Sequence, residues 1–227
     1  MIVWLASYPR SGNTFLRIIL NSLFQVKTAS VYSGPLEGIL PEYNQLVGYI
    51  KPAGSLQSLQ AAGATYFIKT HELPSQADNS PAIYIVRDGR DTLVSYAHFA
   101  LTFEPENYSN KTFQETLRVL IESKEHFGGW SKHVASWKSR GGSTAIIRYE
   151  DLIDDPVELV LEACKRIHLT LPPLSGTLPD FESLQATIPS FFRKGKSGNW
   201  KSEMPPELEE LFWSIHEPTM LQMGYSR

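Results

Sequence analysis

One short loop constrains this chain more than any other feature, because it lies between an apolar strand and an apolar helix. Residues 7–14 read Ser-Tyr-Pro-Arg-Ser-Gly-Asn-Thr. Successive backbone N–H groups in such a turn point at one spot, and the helix that follows adds the positive end of its dipole. The loop therefore predicts an anion site, and its place between strand and helix indicates that the anion belongs to a nucleotide.

The loop departs from the kinase-type P-loop, Gly-x-x-x-x-Gly-Lys-Ser/Thr, whose lysine reaches the β and γ phosphates. When the two are aligned on Thr14, the chain has Ser7 for the first glycine and keeps Gly12, but Asn13 stands where the lysine belongs. The cation of this loop is Arg10, in its middle. We therefore expect Arg10 to contact an atom of the ligand other than those that the P-loop lysine contacts.

Size and charge exclude several classes of protein. A chain of 227 residues is most economically one domain, residues 1–227, and is long enough for a sheet covered by helices on both faces. The formal net charge of −3 provides no global basic field that would attract nucleic acid or anionic lipid. Any anion site must therefore be local.

The cysteine content and the N-terminus predict a cytoplasmic protein. Cys164 is the only cysteine, which excludes an intrachain disulfide and a thiolate metal cluster. The apolar residues 1–5 are too few for a signal peptide and lack its basic flank, and no apolar run approaches the length of a membrane span.

The hydrophobic pattern predicts a three-layer α/β fold of the P-loop type, with a central parallel sheet flanked by helices, because strands and helices alternate. Segments 27–63 and 101–111 are left unassigned, as lids, substrate loops or plain surface connections. The predicted strands are 2–6, 65–69, 82–87 and 144–149; the predicted helices are 14–24, 90–99, 112–127, 131–138, 156–168 and a last one from 205, whose end Pro218 leaves open.

Lys69 and His71 stand at the end of the second predicted strand. Ligands of open α/β sheets bind beyond the carboxyl ends of the strands, so both side chains are expected in the same crevice as the first loop. A histidine there can accept a proton from a hydroxyl or an amine near neutral pH. A purely structural histidine is the alternative for this residue on its own.

The third predicted strand ends in Arg87 and leads into a helix that carries Asp91 and Ser95. Arg87 and Ser95 are placed to hold a second phosphate, distinct from the one at the first loop. A buried ion pair between Arg87 and Asp91 is a structural alternative. The two interpretations are compatible if Asp91 has the structural role and Arg87 also holds the phosphate.

Residues 192–201 combine four cations, two glycines and a tryptophan. Arg193 and Lys194 supply charge, and Gly195 lets a backbone N–H approach an anion. Taken on its own, this segment fits a solvated charged face as well as it fits an anion site.

Together these segments resemble, in order and over nearly the whole chain, the sulfotransferase family that uses 3′-phosphoadenosine 5′-phosphosulfate (PAPS), in particular its cytosolic-type members and, in its length, a short bacterial-like one. Residues 8–15 are similar to the family's 5′-phosphosulfate loop, commonly Tyr-Pro-Lys-Ser-Gly-Thr-Thr-Trp. The further similar segments are Lys-Thr-His at 69–71, the 3′-phosphate strand and helix at 87–99, Gly-Trp with His-Val and Trp at 129–137, Tyr-Glu-Asp at 149–151, and the terminal Arg-Lys-Gly motif at 193–201.

The resemblance implies PAPS as donor, no metal, and a set of donor-binding residues. In this set the N–H groups of Ser11, Gly12, Asn13 and Thr14, with the Thr14 hydroxyl and Arg10, hold the 5′-phosphosulfate; Phe15 and Tyr149 contact adenine; and Arg87, Ser95, Arg193, Lys194 and the N–H of Gly195 hold the 3′-phosphate.

The resemblance also implies catalytic roles. His71 becomes the general base, and Arg10 and Lys69 stabilise charge on the sulfuryl group and the bridging oxygen. Arginine at position 10 holds its proton more firmly than lysine, so its role is electrostatic. The acceptor is a small molecule or a conjugate with a hydroxyl or an amine. His98 and His133 are candidates to line its pocket, although a packed helix residue is the favoured reading of His133.

Two other functions remain open at this stage. A P-loop kinase of small molecules shares the loop and the sheet, but it predicts a lysine beside Thr14 and dependence on Mg²⁺. A non-catalytic module that binds adenosine bisphosphate would keep Arg87, Ser95 and Arg193 but has no use for His71.

Overall fold

A five-stranded parallel sheet forms the centre of the computed structural model, which describes residues 1–32, 40–52, 54–108, 110–189, 191–193 and 195–227. The strands are β1 (Ile2–Ser7), β2 (Thr28–Ser30), β3 (Tyr66–Thr70), β4 (Ala82–Val86) and β5 (Thr144–Arg148). Their spatial order is β2-β3-β1-β4-β5, and all four pairings are parallel. This confirms the predicted fold class.

Helices cover both faces of the sheet, and the sequence of β4 shows why. Its alternate residues point to opposite faces: Tyr84 and Val86 join one apolar cluster, whereas Ile83 and Ile85 join the other. The α-helices are α1 (Asn13–Phe24), α2 (Pro41–Leu46), α3 (Leu56–Ala61), α4 (Gly89–Phe103), α5 (Pro105–Tyr108), α6 (Phe113–Glu122), α7 (Trp130–Lys138), α8 (Tyr149–Asp154), α9 (Pro156–Arg166), α10 (Phe181–Thr187) and α11 (Pro206–Gln222). Short 3₁₀ turns lie at His126–Gly128, Gly141–Ser143 and Asn199–Ser202.

The first cluster lies between the sheet and helices α4, α6, α7 and α11, and the second lies between the sheet and helices α1, α8 and α9. Helix α4 of the first layer begins shortly after the carboxyl end of β4, and helix α8 of the second begins at the carboxyl end of β5, as the crossovers of a parallel sheet require. Three of those ends lie together, because Ala6 of β1 pairs with Thr70 of β3 and with Tyr84 of β4. The loops that leave this edge form the site described below.

Several predicted boundaries were wrong. Strand β2 was not predicted, because its three residues are short and partly polar, and its place comes from pairing with β3. The predicted helix 112–127 ends at Glu122, since Ser123 is extended and Phe127 has a left-handed φ of 50°. The predicted strand 144–149 ends one residue earlier, because Tyr149 begins α8. Helix α4 runs on to Phe103, into the unassigned segment.

Pro218 does not end the last helix, which continues to Gln222. A proline inside a helix removes one backbone hydrogen bond. Trp213 before it and Met220 after it are both buried in the first apolar cluster, and this packing holds the helix on both sides of the proline. The helix ends before Gly224, which has a φ of 79°. In the described part of the chain, every helix is too short or too polar to cross a bilayer.

Candidate active site

The loop between β1 and α1 is held in shape by its own side chains. Asn13 donates from Nδ2 to the Leu5 carbonyl (2.8 Å) and to Ser7 Oγ (3.4 Å), so its side chain fixes the loop and only its N–H is available to a ligand. The N-cap, Gly12, has a φ of 110° and provides no side-chain cap. The first amides of α1 therefore have no acceptor within the helix, and unpaired amides at a helix N-terminus favour an anion.

Ser11 departs from the predicted pattern. Its N–H donates to the Tyr8 carbonyl at 3.3 Å, so this amide is used inside the loop. Its hydroxyl is buried and has no hydrogen-bond partner among the described residues. Ser11 also does not line the cavity, so the amides at the cavity belong to the residues that follow it.

A cavity of about 770 Å³ opens beyond the carboxyl ends of the strands. It brings together almost every residue that the sequence predicted for the site. Lys194 lies outside the described residues. The predicted residues that line the cavity are Arg10, Gly12, Asn13, Thr14, Phe15, Lys69, His71, Arg87, Ser95, Tyr149, Arg193 and Gly195.

His71 lines this cavity in a fixed orientation. Its Nδ1 lies 2.7 Å from the carbonyl oxygen of Ser7. Because a carbonyl only accepts, Nδ1 carries the hydrogen, and Nε2 is the unprotonated nitrogen in the neutral ring. Burial lowers the pKa of His71 well below 6.5, and the nearby Lys69 lowers it further. The ring is stacked on Tyr32, at 5.7 Å between centroids, with the edge of Phe127 at 5.9 Å.

His133 and His98 do not line the cavity. His133 is fully buried, with Nε2 at 2.8 Å from the His71 carbonyl and Nδ1 at 2.9 Å from the Tyr84 hydroxyl, so it holds the backbone of His71 from behind. His98 contacts Glu203 through Nε2 at 2.6 Å. His133 is thus a packed residue of helix α7, as the favoured interpretation of the sequence had it.

Arg10 takes up the left-handed conformation, with a φ of 68°, and its side chain turns toward α4. Its Nε donates to Ser95 Oγ at 3.3 Å and its Nη2 to the Phe191 carbonyl at 3.2 Å. The guanidinium lies over the rings of Phe99 and Phe191, at 5.0 and 4.3 Å from the centroids. Burial and the neighbouring Arg87 lower the pKa of Arg10 to about 10, so it is charged at neutral pH.

Arg87 lies over the ring of Tyr149, with 4.6 Å between the guanidinium carbon and the centroid. It donates to the carbonyls of Arg10 (3.4 Å) and Lys196 (3.1 Å), which links the first loop to the C-terminal segment. Its Nη2 lies 3.9 Å from Oδ2 of Asp91, which is a loose ion pair.

Asp91 instead accepts hydrogen bonds from the N–H groups of Gly198 (2.6 Å) and Trp200 (3.0 Å). Both bonds lead to the segment that follows α10. Asp91 is thus the structural member of the pair, and it ties that segment to α4.

Arg193 is paired with a carboxylate that the sequence analysis did not identify. Its Nη1 donates to both oxygens of Glu203, at 3.1 and 2.9 Å. No local pattern signals this pair, because the contact spans a turn of ten residues. Gly195 has a φ of 59°, and a Cβ there would overlap the ring of Phe181.

Apart from Phe15 and Tyr149, the aromatic lining of the cavity was also missed. It comes largely from segments that the hydrophobic pattern left unassigned or assigned wrongly, and rings placed by tertiary packing give no periodic signal. The further aromatic residues are Tyr32, Tyr43, Tyr96, Phe99, Phe127, Phe181, Phe191 and Phe192. Within the described ranges, no group of three or more His, Cys, Asp or Glu side chains is placed to hold a metal ion.

Three buried histidines predict that the fold loses stability in mild acid. Burial lowers the pKa of His133 and His216 to about 4, and that of His71 well below 6.5. Between pH 6.5 and 4 the unfolded chain binds protons that the native state does not, so the free energy of unfolding falls as the pH falls. We expect a loss of about 2 kcal/mol between pH 7 and pH 5 from each of His133 and His216.

Urea denaturation at pH 7, 6 and 5 measures this effect. His216→Gln keeps a side chain that can bond to Ser131 and to the Ile121 carbonyl, as His216 does. Between pH 7 and pH 5 the free energy of unfolding of the variant should fall less than that of the wild-type protein, by the contribution of one histidine. Equal stability of the wild-type protein at pH 7 and pH 5 would contradict the prediction.

Comparison with known proteins agrees with this fold. The model of the sulfotransferase domain family matches residues 2–224. Sulfotransferase 4A1 of Mus musculus is 30% identical over 235 residues, which cover 96% of this chain and 80% of the relative. Sulfotransferase 1E1 of Mus musculus is 26% identical over 242 residues, covering 92% and 79%.

Solved structures show the same fold. The mouse sulfotransferase SULT7A1, complexed with PAP, matches with a TM-score of 0.64 and 19% identity over 96% of this chain and 83% of that one. Retinol dehydratase, in a complex with retinol and PAP, matches with a TM-score of 0.66 and 17% identity over 100% and 83%. The chain therefore belongs to the sulfotransferase family. It is an enzyme of a class whose sulfuryl donor is PAPS.

Proposed function

We propose that this enzyme moves a sulfuryl group from PAPS to a hydroxyl or an amine of a small acceptor, with His71 as the general base. One observation carries the proposal. The Nδ1–Ser7 carbonyl bond fixes the tautomer of His71, so that an unprotonated Nε2 is available in the same cavity as the N-terminus of α1. A neutral imidazole at the strand edge is the state that a base needs at neutral pH.

Two separated groups of cations and amides support the binding of the donor. The 5′-phosphosulfate belongs at the first turn of α1, with the amides of residues 12–14 and the Thr14 hydroxyl. The 3′-phosphate belongs at Arg87, Ser95, Arg193 and the Gly195 N–H, and Lys194 is proposed for the same group. Tyr149, packed between Gly12 and Arg87, offers a face for adenine, as does Phe15 at the cavity wall.

The reaction is an in-line displacement at sulfur. The acceptor oxygen or nitrogen forms the new bond to sulfur, its proton passes to His71 Nε2, and the bond from sulfur to the bridging oxygen breaks. The electron pair leaves with 3′-phosphoadenosine 5′-phosphate (PAP). Lys69, which lines the cavity near His71, is assigned to the charge that grows on the sulfuryl group. Arg10 retains its proton and acts by its charge.

The acceptor end of the cavity favours a compact apolar molecule with one reactive polar group. Tyr32 and Phe127 flank His71, and Phe99 lies on the wall formed by α4. The only carboxylate of the described lining besides Asp91 is Glu104, and burial beside Glu106 raises its pKa. Retinol dehydratase, whose solved complex holds retinol, provides a precedent for an apolar ligand in this fold. A cytoplasmic location and a single domain over residues 1–227 are part of this proposal.

An assay with labelled PAPS and a panel of phenols, alcohols and amines tests the reaction. The expected result is a product heavier than the acceptor by one sulfo group, formed equally well after addition of EDTA. Loss of activity with EDTA, together with transfer from ATP, would favour the kinase. Tight binding of PAP without transfer to any acceptor class would favour the non-catalytic module.

Arg193→Ala should weaken the binding of PAP about ten- to hundredfold, because a hydrogen bond to a charged group is worth about 1.5 to 3 kcal/mol. Calorimetry measures the Kd. Adenosine 5′-phosphate, which lacks the 3′-phosphate, should bind both proteins equally. Arg118→Ala removes a half-exposed arginine paired with Glu122 and is the matched control. An unchanged Kd for PAP in Arg193→Ala would exclude this assignment.

A further inference from the structure

We infer that Arg17 and Tyr43 are positioning residues that turn the Thr14 hydroxyl into a hydrogen-bond donor toward the 5′-phosphate end of the nucleotide. The inference rests on the proposed function, in which that end of the donor lies at the first turn of α1. It adds two residues that no motif of the sequence singled out. One of them, Tyr43, comes from a segment for which the sequence predicted no structure.

The three side chains form a connected row behind the cavity. Thr14 Oγ1 lies 3.1 Å from the hydroxyl of Tyr43, and both residues line the cavity. Arg17 follows Thr14 by three residues on the same face of α1, and its Nη1 donates to the Tyr43 hydroxyl at 3.4 Å. Arg17 and Tyr43 are 0% and 1% exposed, so bulk water does not compete for these contacts.

The chemistry of arginine sets the direction of the hydrogen bonds in this row. A guanidinium has donors only, so the Tyr43 oxygen is the acceptor in its contact with Arg17. The neighbouring Thr28 follows the same rule, because Oγ1 accepts from Arg17 Nε at 2.9 Å and donates to the Val47 carbonyl at 2.7 Å. We assign the Tyr43 hydrogen to Thr14 Oγ1 in the same way.

This direction matters because the ligand is an anion. If Tyr43 donates to Thr14, the Thr14 hydrogen points into the cavity, where a phosphate oxygen can accept it. In the opposite direction Thr14 would give its hydrogen to Tyr43 and present only lone pairs to the phosphate. Arg17 disfavours that opposite state, since it already donates to the Tyr43 oxygen. Such pre-set donors bind an anion without the cost of reorienting them.

The row also couples the first loop to helix α2. Asn21 of α1 donates from Nδ2 to the carbonyls of Gln45 and Leu46, both at 3.0 Å, which docks α2 against α1 and brings Tyr43 to Thr14. The ring of Tyr43 meets the ring of Phe191 edge to face at 5.6 Å between centroids, and both rings line the cavity. Tyr43 is thus held by packing that its hydroxyl does not affect.

Tyr43→Phe tests the inference, because it removes the hydroxyl and keeps the ring. Calorimetry with two ligands separates positioning from folding: PAP carries both phosphates, whereas adenosine 3′-phosphate lacks the 5′-phosphate. We expect a Kd for PAP about 5- to 20-fold weaker than in the wild-type protein and a Kd for adenosine 3′-phosphate within about twofold of it. Tyr66→Phe, on β3 and outside this cavity, should change neither value.

A double-mutant cycle adds a second readout. Thr14→Val removes the terminal hydroxyl of the row, so adding Tyr43→Phe to it should weaken PAP binding no further. Equal losses for both ligands in Tyr43→Phe, no loss for PAP, or additive losses in the cycle would overturn the inference. If the wild-type protein does not bind PAP at all, the proposed function fails, and this result is distinct from a failure of the row.

Discussion

His71→Ala is expected to lower kcat for sulfuryl transfer by about 10²- to 10⁴-fold, the range that a positioned general base contributes. The Kd for PAP should stay within about twofold, because His71 contacts the Ser7 carbonyl and Tyr32 rather than the loop amides. Single-turnover transfer from labelled PAPS and calorimetry with PAP measure the two quantities.

The matched control is His168→Asn. His168 is exposed at the end of α9 and has a φ of 56°, a conformation that asparagine tolerates. This variant should transfer sulfuryl groups at the wild-type rate. If His71→Ala keeps wild-type kcat, another group accepts the proton. If it loses PAP binding along with activity, the residue holds the site together rather than acting as a base.

Gly12→Ala should disable the nucleotide site by a different route. A Cβ at Gly12 would overlap Cδ2 of Tyr149 and lie 3.0 Å from its Cε2. The backbone φ of 110° adds a conformational cost for any side chain. We expect the free energy of unfolding to fall by about 3 kcal/mol, from strain and overpacking together. Displacement of Tyr149 also takes the ring away from Arg87, so the Kd for PAP should rise at least about 30-fold.

Gly63→Ala separates the strain of a positive φ from the overlap with Tyr149. Gly63 has a φ of 70°, but no described atom lies within 4 Å of a Cβ built there. It should lose only about 1 kcal/mol of unfolding free energy and bind PAP as the wild-type protein does. Urea denaturation and calorimetry measure both variants. If Gly12→Ala behaves like Gly63→Ala in both, contact with Tyr149 is unimportant.

The sequence predicted the parts of the site that depend on neighbours along the chain. Residues 7–14 are predicted to bind an anion because a strand, a turn and a helix follow one another, and Gly12 supplies the conformation the turn needs. His71 and Arg87 were located because the end of an apolar strand is readable from its residues, and parallel strands end at one edge. The same argument gave the fold class, which the structure and its relatives confirm. The roles of these residues in binding and catalysis stay predictions until they are measured.

Other features gave no local signal. Strand β2 is three residues long and pairs only because β3 offers an open edge. Pro218 should end a helix, but apolar packing on both sides of it maintains α11. The pairing of Arg193 with Glu203 crosses ten residues without a periodic pattern. The row of Arg17, Tyr43 and Thr14 joins α1 to α2 through contacts between residues 26 and 29 positions apart in the chain.

The sequence by itself determined the alternation of strands and helices, the loop before α1 and the histidine at the strand edge, because each of these depends on residues within about one element. Only the tertiary structure decided which nitrogen of His71 is available, which side chains line the cavity, and which residues lie next to the loop. Those properties depend on burial and on contacts between distant segments, and a side chain acquires its hydrogen-bond direction and its pKa only when the packed neighbours are in place.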